Sequence, residues 1–158
     1  MAIARHRYGE QMIVHAAVDS ATAISAGDAV YLDGDDVKPA SSEPWTGDLA
    51  TTQANFVNHF LGIAQADHPA NSGAVTDFPV DISPLAVYEL DCASEAHELG
   101  DTLGLDKAAG NNLLASTLKK TLAAGSCFRC VRRDPVATTR VYVTMQSAYF
   151  GVNDAARQ

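Results

Sequence analysis

The chain has 158 residues, 47% apolar and 19% charged, the balance of one globular domain with length enough to bury a core. Its formal charge of −8 argues against a protein that coats nucleic acid, and no apolar run is long enough for a membrane-spanning helix. Met1-Ala-Ile-Ala-Arg-His-Arg7 lacks the apolar core of an export signal, and three cysteines leave a disulfide framework incomplete, so a reducing compartment is expected.

Residues 1–12 read as an N-terminal arm, slightly basic and unpatterned until Ile13. Ile13-Val-His-Ala-Ala-Val18 is the first predicted strand, and Ala29-Val-Tyr-Leu32 the second. The second is entered through Gly27-Asp28 and left through Asp33-Gly-Asp-Asp36, because Gly accepts positive φ and Asp bonds its own backbone. Residues 37–47, with Pro39 and Pro44, read as loop. Leu49, Phe56, Val57, Phe60 and Leu61 then fall on one stripe at helical spacing. With Asp48 as N-cap and Gly62 as terminator, the spacing predicts a helix over about 48–61. Strand-like runs resume at Ile63-Ala-Gln-Ala66 and between Phe78 and Leu90. Pro79 and Pro84 interrupt the latter; lacking a ladder donor, they mark strand ends, a bulge or an edge. Further runs cover residues 103–106, 113–122, 127–131 and 140–146, and residues 153–158 read as a flexible tail. The expectation is a mainly β chain, with residues 13–152 forming a single compact β-barrel or sandwich-like domain that carries one inserted α-helix.

A twofold internal repeat is suggested by three elements in the same order. Gly27-Asp28-Ala-Val-Tyr-Leu-Asp33 matches Gly100-Asp101-Thr-Leu-Gly-Leu-Asp106. Leu61 to Asp67 aligns with Phe128 to Asp134, and Val80-Asp-Ile82 followed by Val87-Tyr88 with Val141-Tyr-Val143 followed by Ala148-Tyr149. On that reading the helix belongs to the first half alone.

Charge is segregated. Seventeen of the 19 acids lie between Glu10 and Asp106 with one base, Lys38, whereas residues 107–158 carry eight bases against Asp134 and Asp154. Two readings stay open: the halves neutralise each other within one chain, or they meet between copies or on a partner, where complementary charge sets register. A nucleic-acid site on Arg129, Arg132, Arg133 and Arg140 is disfavoured, because the acidic stretch repels phosphate.

The residues with chemical potential form no recognisable set. Cys127-Phe-Arg-Cys130 is a CxxC without the second ligand pair of a zinc site, and residues three apart on a strand point to opposite faces. Two unrelated cysteines, at least one of them in the core, are expected. His97-Glu98 lacks the second histidine of a zincin helix, and Asp33, Asp35 and Asp36 lack the spacing and closing Glu of a calcium loop. His59 reads as an exposed or edge-of-core residue. Neither an enzyme nor a metal or cofactor is expected.

Gly27-Asp28-Ala-Val-Tyr-Leu, Asp48-Leu-Ala-Thr-Thr-Gln-Ala-Asn-Phe with Phe60-Leu-Gly-Ile-Ala, and Val87-Tyr-Glu-Leu-Asp-Cys-Ala-Ser with Gly100-Asp101 resemble tailed-bacteriophage head decoration (capsid-stabilising) proteins. The likeness covers about residues 23–105, and its motifs are turns and strand edges. The resemblance implies a β-rich homotrimer on the outer capsid surface, made in the bacterial host cytoplasm. Its partners would be the major capsid protein and itself, with neither membrane nor nucleic acid. Two contact sets are expected: Ala2, Ile3, Ala4, Arg5, His6, Arg7 and Tyr8 extending onto the capsid protein, and Arg129, Arg132, Arg133 and Arg140 meeting the acidic part of the next copy. The alternatives are another phage β protein (tail tube, head-completion or spike), a small metal-binding enzyme using Cys92, His97, Cys127 and Cys130, or a sugar-binding domain, for which the single Trp45 is a poor platform.

Overall fold

A computed structural model describes residues 4–151; Ala2, Ile3 and the predicted tail at 153–158 lie outside them. Arg5–Tyr8 form β1, Ile13–Val18 β2, Ala29–Asp33 β3, Asp36–Pro39 β4, Phe60–Ala64 β5 and Val75–Asp81 β6. Val87–His97 form β7, Thr102–Lys107 β8, Leu113–Lys120 β9, Phe128–Cys130 β10 and Asp134–Met145 β11, while Leu49–Val57 form the helix α1. Strands β2 to β6 close a barrel in the order β2-β4-β3-β5-β6. Strands β7 to β11 run β7-β11-β10-β8-β9, with β9 returning to β7 and β1 added outside β7. The domain is thus a tandem of two five-stranded barrels with one helix.

Each barrel is filled by alternate residues, as a pleated strand requires. Val18, Ile24, Val30, Val37, Phe78, Val80 and Ile82 fill the first; Leu103, Leu105, Leu118, Val141, Val143 and Met145 belong to the core of the second. Pro79 stays in β6 because its carbonyl accepts from Gln65 just beyond the end of β5, where the ladder needs no further donor.

The internal repeat is written in the hydrogen bonds. Strands β2 to β6 correspond in order to β7 to β11, and each barrel has one parallel pairing: Ala17 opposite Asp36, and Asp91 opposite Thr117. Gly27 N donates to Ala64 O (2.8 Å) and Ala64 N to Asp28 O (2.9 Å). Gly100 N donates to Cys130 O (2.9 Å) and Cys130 N to Asp101 O (2.8 Å). These registers correct the alignment made from sequence: Ala64 rather than Ile63 corresponds to Cys130, and Val80 corresponds to Val143 rather than Val141. The identity of Asp67 and Asp134 misled the first match, since the ladders set His68 opposite Ile24 and Asp134 opposite His97. The second was a slip of two residues, which keeps every side chain on its face and leaves the apolar pattern unchanged; Val87 and Tyr88, matched there with Ala148 and Tyr149, instead open β7 and correspond to Ile13 and Val14 of β2.

The helix is shorter than its stripe. Asp48 caps it, accepting from Thr51 N at 2.7 Å, but it ends at Asn58 rather than Gly62. Phe60 and Leu61 already belong to β5. Gly62 serves a different purpose, since a Cβ there would run into the Asp81 carbonyl oxygen. As expected, the second barrel has no counterpart to α1; a short 3-10 turn at Ala123–Gly125 lies between β9 and β10.

The helix joins the barrels. Buried Gln53 donates through Nε2 to Leu105 O (2.7 Å) and accepts at Oε1 from the Thr121 hydroxyl (3.1 Å). Gly104 occupies the place that Tyr31 holds in the first barrel, opposite Lys119 as Tyr31 is opposite Lys38. A side chain at Gly104 would collide with Gly125 O and press on Gln53 Nε2. Gly104→Ala is expected to lower stability by about 1–3 kcal/mol, read as a shift in the denaturant midpoint.

From Ala4 to Tyr8 the N-terminal arm lies on the domain instead of extending from it. Ala4 is buried, and β1 lies antiparallel on β7 with Arg5 opposite Glu89, His6 opposite Tyr88 and Tyr8 opposite Val87.

Candidate functional site

The strongest electrostatic feature follows from period-two geometry. Arg5 and Arg7 project from one face of β1, Glu89 and Asp91 from the same face of β7, and Arg140 from β11. Arg7 Nη2 donates to Glu89 Oε1 at 2.7 Å, and Arg5 and Arg140 flank the same oxygen at 3.7 Å each. Asp91 sits 3.8 Å from Arg5 and 3.7 Å from Arg140. The Arg7 hydrogen bond, reinforced by the charges of Arg7, Arg140 and Arg5, holds the Glu89 carboxyl below its ordinary range, against the opposing effect of burial. A carboxylate whose folded-state pKa is depressed contributes stability above its unfolded pKa and loses it as pH falls through the folded value. Glu89→Gln should therefore be less stable than wild type at neutral pH. The gap should close below about pH 4, measured by denaturation across pH.

The other basic residues singled out from sequence also find neighbours in their own chain. Arg133 Nε donates to Glu98 Oε2 at 2.7 Å, the Arg132 guanidinium lies 4.8 Å over the Tyr142 ring, and Lys120 pairs with Asp101 at 3.1 Å. Arg129 projects from β10 into solvent with no ion pair among the described residues. Charge neutralisation within one chain is therefore realised for Arg133 and Arg140, and Lys120 joins them.

A cleft of about 570 Å³ opens where α1 meets the first barrel, lined among others by Tyr31, Glu43, Asn58 and His59. Glu43, its side chain only 3% exposed, meets His59 Nε2 through Oε2 at 2.6 Å. The imidazole stacks on Tyr31 at 4.7 Å, and burial, with the nearby carboxylates of Glu43 and Asp33, pushes the Tyr31 hydroxyl up to about 12. The hydroxyls of Thr46 and Thr52 are occupied with each other and with the Asp48 carbonyl. The pair thus fastens the loop after β4 to the entrance of β5 and presents no nucleophile to the histidine. Of the two positions open to His59, exposed or at the edge of the core, the structure has the second; Glu43 was missed, because a buried glutamate sixteen residues away in a loop leaves no local signal.

The thiols are free and buried. Cys92 Sγ lies 3.4 Å from His97 Nε2, and the Cys130 thiol donates to the Arg132 carbonyl at 3.0 Å. Burial pushes Cys92 up to about 12 and raises Cys127 and Cys130 as well, so these thiols stay protonated and inert. Among the described residues no three His, Cys, Asp or Glu side chains stand together as a metal site. The turn of Asp33, Gly34, Asp35 and Asp36 is a hairpin whose Asp33 pairs with Lys38 at 2.6 Å.

The remaining feature is a patch of exposed apolar side chains at the joint. Tyr8, Met12, Ile13 and Leu85 are each at least 40% exposed. The turn after β1 and the turn after β6 carry them together: a Cβ at Gly9 would abut Leu85 O, and Ile82 N donates to Met12 O at 2.9 Å. No helix among the described residues is long and apolar enough to cross a membrane. No family model and no curated protein matches the chain.

Proposed function

We propose that this chain is a structural protein of a tailed-phage head that works by adhesion, binding the outer surface of the assembled shell through its major capsid protein. The observation that carries the reading is the group of exposed apolar residues Tyr8, Met12, Ile13 and Leu85 on two neighbouring turns, because exposed apolar side chains gathered on one part of a folded domain mark a protein-binding surface. The resemblance to decoration proteins supports it, and the resembling segments are the turn into β3 with that strand, the helix, β5, β7 and the turn into β8. Binding to the assembled shell and not to its free subunits stabilises the shell by mass action without a reaction.

Arg5, His6, Arg7 and Tyr8 reach the shell in this proposal as a docked edge strand, with the outer edge of β1 turned to the partner. The test is co-sedimentation with expanded shells followed by particle imaging. Wild type should decorate the outer face, and Leu85→Lys should lower occupancy at sub-saturating concentration about ten-fold. Wild-type protein that stays in the supernatant rejects the reading.

A homotrimer is part of the same proposal. Arg129, with no ion pair among the described residues, is the member of its set best placed to meet the acidic first barrel of the next copy, with Arg132, Arg133 and Arg140 as further members of the set. Light scattering should give three times the chain mass, falling to one chain in Arg129→Glu and in high salt, which screens exposed charges beyond about 8–10 Å already at physiological strength.

A further inference from the structure

The two barrels are built to one plan, and comparing them shows a place that is filled in one and open in the other. The edge of β7 that faces away from β11 is shared: β9 covers Asp91 and Cys92, and β1 covers Val87, Tyr88 and Glu89. In the first barrel β4 covers the corresponding end of β2, with Asp36 opposite Ala17. The registers make Ile13, Val14 and His15 the counterparts of Val87, Tyr88 and Glu89, because Val14 faces Val80 as Tyr88 faces Val143. Along that edge of β2 no strand is paired among the described residues, and Met12 and Ile13 are 44% and 40% exposed.

We propose that this open edge of β2 is a receiving slot for an extended, basic strand of a partner protein. The geometry is that of strand addition, in which backbone hydrogen bonds supply affinity and alternate side chains supply selectivity. Charge specifies the occupant. In the filled slot the strand that adds to β7 brings Arg5 and Arg7, two residues apart, onto Glu89 and Asp91. Around the open slot Asp77 stands in the place of Arg140, Asp36 lies at its far end beside Ala17, and Glu10 precedes it. The barrel behind it, residues 13–81, has ten carboxylates and one lysine. His15 and Ala17 stand where Glu89 and Asp91 do, so the cations of the added strand would meet Asp36 and Asp77 at one end of the slot and Glu10 at the other. The slot stands on the ladder registers; assigning the strand to a shell subunit rests on the function proposed above.

The experiment titrates the isotope-labelled full chain with Ala-Ile-Ala-Arg-His-Arg-Tyr-Gly, the sequence of residues 2–9 used as a basic strand, and follows amide shifts and hydrogen exchange. The expected result is saturable binding that protects amides in residues 13–16 and leaves residues 87–89 unchanged. Affinity should fall about ten-fold in an Asp36→Lys, Asp77→Lys double variant and when alternate peptide nitrogens are methylated. Three results overturn it: no saturable binding at millimolar peptide, protection confined to residues 87–89, or equal affinity for the methylated peptide. Wild-type self-association that itself protects residues 13–16 would also overturn it, by making a second copy the occupant. Peptide binding by a protein that ignores shells would sink the decoration reading alone; shell binding with an empty slot would sink the slot alone.

Discussion

Phe60→Ala is expected to cost about 3–5 kcal/mol, the range for deleting a fully buried phenylalanine ring. The ring is the middle of an aromatic chain that runs from one barrel to the other. Tyr31 of the first barrel meets Phe56 of the helix at 5.9 Å, Phe56 meets Phe60 at 5.5 Å, and Phe60 meets Phe128 of the second barrel at 5.3 Å. All four residues are at most 4% exposed. The ring lies within one apolar cluster that spans the joint, with Ala29, Ala40 and Ile63 on one side and Leu90, Leu103 and Leu105 on the other, and the Gln53 amide and the Asp81 node add polar ties. Wild type should therefore unfold in one transition, and Phe60→Ala should separate the barrels into two. Trp45, whose ring lies 5.3 Å from Lys107 Nζ of the second barrel, reports the joint by fluorescence, while far-ultraviolet circular dichroism reports the strands. The two signals should coincide in wild type and part in the variant. Coincident curves with a loss below about 1 kcal/mol would show that the ring does not couple the barrels.

The strand content, the helix start and the repeat were legible because each rests on a local rule. Gly27-Asp28 and Gly100-Asp101 announce turns by chemistry, and Asp48 announces a helix by its cap. The helix end was not legible, because Phe56, Phe60 and Leu61 satisfy a 3.6-residue period although the last two are in a strand; tertiary burial between the barrels, not periodicity, placed them. Closure into two barrels depends on pairings such as Asp91 with Thr117, which no window of sequence contains. The arm was misjudged for a related reason. Arg5 and Arg7 read as a free basic segment until the partners, Glu89 and Asp91 more than eighty residues on, are placed beside them. Glu43 with His59 was missed in the same way, whereas the expectation of at least one core cysteine in the CxxC agrees with the burial of Cys127 and Cys130.

Asp81→Ala is expected to lower stability by about 3–5 kcal/mol, because three donors lose one acceptor inside the protein. Asp81 is fully buried at the end of the first barrel's last strand. Its Oδ1 accepts from Met12 N (3.0 Å) and Ser83 N (2.9 Å), and its Oδ2 from the hydroxyl of Tyr88, the second residue of the second barrel's first strand, at 2.7 Å. That hydroxyl also accepts from Gln11 Nε2 (3.1 Å) and Gln65 Nε2 (2.9 Å), so it donates once and accepts twice, its full capacity. Burial first, then the bond to Asp81, raises its pKa, so it remains a protonated donor throughout the physiological range. The loss corresponds to a melting-temperature drop of roughly 10–15 °C for a chain of this size. Tyr88→Phe strands one carboxylate oxygen and should cost about 1–3 kcal/mol. The double variant should then cost less than the two singles together, since the bond they share can be lost only once. Strict additivity in that cycle would mean the hydroxyl and the carboxylate act independently, and that the joint is held by its apolar surfaces alone.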